Sequence, residues 1–424
     1  MGIHNLVSLA GLFGLVGFAY LLSSHKKSVH WPLVASAMLI QIALGVFVFI
    51  LPQGRDAFWW INNAVVKLLS VSTQGSEFVF GALAKPPGTE GSLGFFLAFQ
   101  TLPAIIFFSA LMSILYYLRV MPVLIRGFAR VFTKLMRISG AESLVAASNI
   151  FVGVEANLAI KPHLNKMTES ELCTILTAGM ATVASNVMAF YVFTLQPYFP
   201  AIAGHLVSAS LLSAPAAILM SKVLLPETGQ PETLGQDIHP HYERESNIFE
   251  AVIKGAQNGL GLISGILALL IAVLGLVALT DLVLGYVAGL MGQSLQLQQI
   301  FGWIFYPFTL LMGVPLEDAA AAAKIIGERL VVTEFVAYMD LANAVKTGAI
   351  QDPRSLVITS YALCGFAHFA SLSIFIGGVA SLAPERTKDL SRVGLRALLA
   401  ANLACLATGC IAGLCFFDAS VLFG

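Results

Sequence analysis

Apolar runs close to twenty residues long recur from one end of the chain to the other, at 6–22, 31–51, 95–118, 171–191, 202–225, 248–291, 356–382 and 395–417. A helix of about 20 residues crosses the ~30 Å hydrocarbon layer of a bilayer, so each run is a candidate span. A soluble chain of 424 residues needs a far more polar skin than one that is 58% hydrophobic, 11% charged and has a mean hydropathy of +0.85. The reading is therefore an all-α integral membrane protein with eight transmembrane helices. Two further stretches, 142–162 and 298–339, are apolar but interrupted by carboxylates, Gly and Pro.

The run at 6–22 has almost no charge before it and Ser23, Ser24, His25, Lys26 and Lys27 after it. That polarity is the reverse of a signal peptide, so it reads as a retained helix with its N-terminus outside. Residues Met1 and Gly2 are not followed by the Ser or Thr that myristoylation requires. Placing alternate loops in the cytoplasm puts Lys26, Lys27, Arg119, Arg126, Arg130, Lys134, Arg137, Lys161, Lys166, Lys222, Arg244, Lys254, Arg386, Lys388, Arg392 and Arg396 there, sixteen of the 23 basic residues. The count works when 142–162 enters and leaves on the cytoplasmic side and 298–339 does so on the outside. Both then read as re-entrant helical hairpins, which a membrane tolerates where protein or water meets the exposed backbone. Both termini are expected outside, periplasmic for a cell inner membrane.

Residues 121–137 carry apolar positions at helical spacing with basic residues on the other face, the pattern of an interfacial helix. The polar tract 226–246 is a cytoplasmic loop, and its His239 and His241 read as solvated. The expected organisation is three spans over 1–118, the interfacial helix at 119–140, a first repeat at 141–225, the loop at 226–247, a long scaffold helix at 248–297 and a second repeat at 298–424. In each repeat a hairpin carrying an intramembrane Glu, Glu155 or Glu334, precedes a span with a polar interruption, at 181–186 or 365–371. Units entering from opposite faces form an inverted repeat whose broken helices meet at a midplane binding site. A carboxylate at the bilayer centre costs about 2.5–3.5 kcal/mol on insertion scales, so it faces a cavity or a partner.

Other classes fare worse. A net charge of zero leaves no basic excess for nucleic acid. The five cysteines are odd in number and lie in apolar segments, which argues against a disulfide framework or zinc site. The glycines of 259–265 follow no strand and read as close helix packing, not a dinucleotide loop; the alanines of 319–323 read likewise, and Lys324 with Glu328 as a helical ion pair. A membrane enzyme would rest on His368 and Ser371 as base and nucleophile, which need a set of oxyanion donors and usually an orienting acid, but no GxSxG, HExxH or paired intramembrane Asp motif appears. A passive channel would not call for two carboxylate-bearing hairpins.

The segments SNIFVG at 148–153, TEFVAY at 333–338, ALCGFA at 362–367, SLAPER at 381–386, GSEFVFG at 75–81 and LPAIIFFSALMSILYYL at 102–118 resemble, in order, the bacterial concentrative nucleoside transporters. The resemblance implies eight spans, two opposed hairpins, a homotrimer and a cation-coupled elevator that imports a nucleoside, with no catalytic residue and no cofactor beyond the coupling ion. It implies a sodium site at Asn149, Val152, Thr182 and Val183, oxygen donors of the kind a hard cation requires. It implies a substrate site at Val154, Glu155, Asn157, Val187, Glu334, Phe366, His368 and Ser371. The chain departs from the family's pattern where a base-reading Gln is missing between Gly153 and Glu155, where His368 replaces a ribose-binding Asn, and where Ala370 replaces a Ser. The shortened tip leaves Asn157 or Asn186 to approach the base. His368 has three readings: a neutral partner in the pocket, a proton-linked group paired with Glu334 or Glu155, or a structural hydrogen bond. Sodium coupling, proton coupling and a retuned small polar ligand all stay open.

Overall fold

A computed structural model describes residues 2–86, 88–241, 245–290 and 292–418. Arg244 and the end of the 248–291 run at Met291 lie outside the described residues. Among those described there is no named strand, only an isolated bridge between Ser139 and Leu234. The helices are α1 (Ile3–Leu21), α2 (Trp31–Phe49), α3 (Pro52–Phe80), α4 (Leu97–Gln100), α5 (Ala104–Tyr117), α6 (Val120–Met136), α7 (Gly140–Ser148), α8 (Glu169–Ala181), α9 (Ser185–Leu195), α10 (Ile202–Leu224) and α11 (Ile248–Gly289). There follow α12 (Leu297–Leu311), α13 (Leu316–Arg329), α14 (Glu334–Thr347), α15 (Pro353–Leu363), α16 (Phe369–Leu382) and α17 (Thr387–Cys415). A 3-10 stretch, Val154–Lys166, joins α7 to α8.

Among the described residues seven helical stretches are long and apolar enough to cross a membrane, and α8–α9, α10 and α17 form the centre: 78%, 89% and 94% of their apolar windows are buried. By contrast only 11% of the window on α11 is buried. It leans on α5 through Gly255 and Gly259, where a methyl group would come within 2.7 Å of the Ala110 and Ile106 Cα atoms. Small residues permit that approach, and in lipid such packing replaces the hydrophobic drive that acts in water. The other glycines of the 259–265 stretch, Gly261 and Gly265, have open space beside them and face a cavity.

Local sequence fixes where the helices start. Ser139 with Glu142 caps α7, and Thr168 with Glu171 caps α8, each a reciprocal box that satisfies orphan N–H groups. The Lys222 ammonium, 6% exposed, stands 2.5 Å from the Glu142 carboxylate and donates to Ser170 at 2.9 Å, tying α10 to both caps. The 226–241 loop crosses these ends. Gly140 donates to Thr233 O at 2.8 Å, and Asp237 receives Arg130 at 2.8 Å and Arg126 at 3.1 Å from α6. Those arginines hold the exposed Asp237 carboxyl below the usual range. His239 is not simply solvated: its Nε2 lies 3.0 Å from Arg126 Nη2.

Three sequence boundaries shift. The 298–339 stretch is three helices rather than one interrupted pair: α12 exposes Trp303 and Ile304 while burying Gly302, Phe305 and Thr309, and the turn before Glu334 lies between α13 and α14. The 356–382 run is two helices, α15 and α16, parted by 364–368. Helix α3 has no counterpart among the apolar runs, because polar residues lie on its buried face as well as its exposed one: Asn62, Ser72 and Ser76 are buried with Phe58 and Leu69, while Trp60 and Phe78 are exposed.

Candidate functional site

Four interruptions of regular helix converge: the turns 149–153 and 330–333, and the breaks 182–184 in α8–α9 and 364–368 in α15–α16. Each turn is fastened to a break in the same way. Ser185, the first residue of α9, donates its N–H to Phe151 O at 3.1 Å; Phe369, the first residue of α16, donates to Leu330 O at 3.3 Å. Helix breaks free backbone groups that must find partners, and here each break partners a turn.

In the first half, Asn149 is fully buried; its Nδ2 donates to Val145 O at 3.0 Å, while Oδ1 has no hydrogen-bond partner. Thr182 and Val183 are 2% exposed, and the Thr182 hydroxyl donates to Ala178 O at 2.9 Å, leaving its lone pairs available. Val152 is half-buried and Glu155 exposed. An orphaned buried amide oxygen at a turn that is bonded to the break carrying the Thr182 hydroxyl is a donor set that suits a hard cation.

In the second half, Glu334 and His368 are fully buried and face each other, Oε2 to Nε2, at 3.0 Å. Glu334 Oε1 accepts the Tyr191 hydroxyl at 2.7 Å. His368 also caps α16: its Nδ1 accepts the Ser371 N–H at 3.2 Å, and Ser371 Oγ accepts the His368 N–H at 3.1 Å. Phe366 meets the His368 ring edge-on with centroids 4.6 Å apart.

A cavity of about 540 Å³ lies between the halves, lined by Gly153, Val154, Glu155, Thr182, Val183, Asn186, Val187, Tyr191, Thr333, Phe335, Phe366 and Phe375, with α11 from Gly261 to Leu270 as its outer wall. A second cavity of about 220 Å³ shares Gly153, Glu155 and Asn186 and runs to Pro240 and His241 of the polar loop. Among the residues singled out by sequence, Val154, Glu155, Thr182, Val183, Val187 and Phe366 line the larger cavity and Val152 the smaller. Glu334, His368 and Ser371 stand behind its wall, and Asn149 and Asn157 line neither; Asn157 donates to Val154 O at 2.9 Å and supports the turn. Sequence reasoning missed Tyr191, Phe335 and Phe375, aromatic residues that look like any others in an apolar run. Among the described residues no cluster of three metal-ligating His, Cys, Asp or Glu side chains occurs.

Comparison with known proteins matches 205–413 to the Na+ dependent nucleoside transporter C-terminus, 10–83 to its N-terminus and 98–198 to the nucleoside recognition domain called Gate. The chain is 36% identical over 415 residues to nucleoside permease NupC of Helicobacter pylori, covering 97% of each. It is 37% identical over 429 residues to solute carrier family 28 member 3 of mouse, covering 98% of this chain but only 59% of that longer protein. The structure of CNTnw in an inward-facing substrate-bound state superposes with a TM-score of 0.88 at 36% identity over 97% of this chain and 98% of the other, and an outward-facing state of substituted CNTnw also gives 0.88. The chain belongs to the Na+ dependent nucleoside transporter family, a family of membrane permeases and not of enzymes.

Proposed function

We propose that the chain imports a nucleoside, or a nucleoside-like compound, together with sodium. The observation that carries this reading is Asn149 Oδ1, fully buried and unpartnered at the turn bonded to the α8–α9 break. Sodium held by Asn149, the Thr182 hydroxyl and the Val152 and Val183 carbonyls supplies the positive charge that fixes the turn against the break. Val154 and Glu155 follow directly on that turn, so ion binding sets the wall that meets substrate, and coupling results. Asn157 supports the same wall. Across the cavity Val187 and Phe366 give apolar surface for a base, while Glu334, with Ser371 and His368 behind it, offers acceptors to ribose hydroxyls.

The same reading takes 142–162 and the α13–α14 pair as opposed re-entrant hairpins of an inverted repeat. The hairpin-bearing units move as an elevator within a homotrimeric scaffold, in a cell inner membrane with both termini periplasmic. CNTnw has been seen facing inward and outward, as alternating access requires. A second reading, proton coupling or a retuned small polar ligand, is favoured by one observation: His368 faces Glu334 at 3.0 Å where a simple amide would carry no titratable proton.

Binding of a nucleoside panel to the purified full chain, followed as thermal stabilisation with and without sodium, tests the proposal. A nucleoside that stabilises the protein more strongly in sodium than in choline supports it. Stabilisation by none of the panel, with sodium alone still stabilising, supports a retuned ligand. Stabilisation by nucleosides in acid but not by sodium supports the proton reading.

A further inference from the structure

Arg329 is the largest fully buried side chain, at 0% exposure, and no acidic side chain pairs with it among the described residues. A buried, unpaired charge inside a membrane protein is costly and marks a function or a compensating field. Its Nη1 donates to Ala362 O at 2.5 Å and its Nη2 to Asn402 Oδ1 at 2.7 Å, while Nε has no partner. Ala362 sits in the last turn of α15, where carbonyls lose their helical partners and the helix dipole is negative. Asn402 in turn donates to Ala367 O at 3.2 Å within the break. The guanidinium therefore closes over the C-terminal end of a broken span.

The first half has the same layout with a different occupant. Asn149 directly follows α7 as Arg329 ends α13; each is followed by a turn bonded to the next break, and each turn leads to a carboxylate, Glu155 or Glu334. The end of α8 presents the Thr182 hydroxyl, and the end of α7 the unpartnered Asn149 oxygen.

We infer that Arg329 is a tethered cation standing, in the second half, where the first half takes an exchangeable one, so that one sodium ion accompanies each substrate. This rests on the reading of Asn149 and Thr182 as the ion site. Both helix ends and both turn carboxylates are then balanced by positive charge, but only the first can be loaded and emptied. Affinity for substrate responds to sodium through the first half alone.

The test is sodium-coupled uptake by the full chain in proteoliposomes, with the sodium-to-substrate ratio read from the reversal potential, for wild type, Arg329→Lys and Arg329→Gln. Wild type is expected to carry one sodium per substrate. Arg329→Lys keeps the charge and is expected to keep that ratio. Arg329→Gln leaves the helix end to a free ion, so its sodium Hill coefficient rises from one toward two and its half-maximal sodium concentration rises by about tenfold or more. A wild-type ratio of two, or an Arg329→Gln protein with the wild-type coefficient and midpoint, overturns the inference. So does loss of uptake in both variants, which would make the clamp's shape, not its charge, decisive. If Arg329→Gln does not fold, the wild-type ratio decides alone. Uptake with no sodium dependence in wild type is a different failure, that of the Asn149 site itself, and removes the inference with it.

Discussion

His368 Nε2 faces Glu334 Oε2 at 3.0 Å while the other ring nitrogen, Nδ1, accepts the Ser371 N–H. An acceptor cannot carry the proton of a neutral imidazole, so the hydrogen bonding assigns that proton to Nε2, on the side of the carboxylate. The two atoms nevertheless lie off the hydrogen-bonding axis, and neither has another partner. One ring thus caps a helix and covers the oxygen that a sugar hydroxyl would approach.

Replacing His368 with Asn separates those two jobs. Asn is among the best N-cap residues, so α16 keeps its start, but its shorter side chain withdraws from Glu334. A freed buried acceptor that gains a hydrogen bond to a charged group is worth about 1.5–3 kcal/mol, or roughly tenfold to a hundredfold in affinity. Uridine binding to His368→Asn is expected to tighten accordingly in an equilibrium binding assay; unchanged binding contradicts this assignment.

Tyr191→Phe removes the donor to Glu334 Oε1 and keeps the ring that stacks on Tyr338 at 4.4 Å. The expected loss is about 1.5–3 kcal/mol of stability, with a lower Tm and weaker substrate binding. A Tm equal to that of wild type would show that the hydroxyl does not hold the carboxylate in place.

Asn149→Ala removes the orphaned oxygen but only one weak tie within α7. Removing even an outer-shell partner costs about 10–100-fold in metal affinity, so the half-maximal sodium concentration should rise at least that much. The fold should survive, as judged by thermal unfolding without sodium. Sodium dependence identical to wild type would place the ion elsewhere.

The buried Lys222 and Glu142 pair makes a purely structural prediction. Breaking such a pair from one side leaves an uncompensated charge and costs about 3–5 kcal/mol. Lys222→Met is therefore expected to unfold at markedly lower temperature than wild type, and Lys222→Met with Glu142→Gln, which removes the charge but keeps the α7 capping box, to recover most of the loss. Equal destabilisation of the single and double variants would contradict the pairing at 2.5 Å.

Much of this was legible in the chain because lipid imposes a simple rule: apolar length shows a span, and a carboxylate inside one marks a candidate site. Glu155 and Glu334 stood out for that reason. Helix α3 was hidden because Arg55, Asp56, Lys67 and Glu77 dilute its hydropathy, as do Asn62, Ser72 and Ser76 among its buried residues. The division of 298–339 was hidden because an amphipathic helix followed by an alanine-rich one reads as a single interrupted run. Tyr191 and Arg329 acquire meaning only from partners far away in sequence, at Glu334, Ala362 and Asn402. No spacing rule predicts those contacts.

The central claim is that an ion at Asn149 drives nucleoside uptake through the cavity between the halves. Uptake of labelled pyrimidine and purine nucleosides into proteoliposomes, with and without an inward sodium gradient, tests it most directly. The account predicts saturable accumulation of at least one nucleoside that requires the gradient and collapses in Asn149→Ala. Nucleoside uptake that neither saturates nor responds to sodium, and is the same in Asn149→Ala, would contradict it.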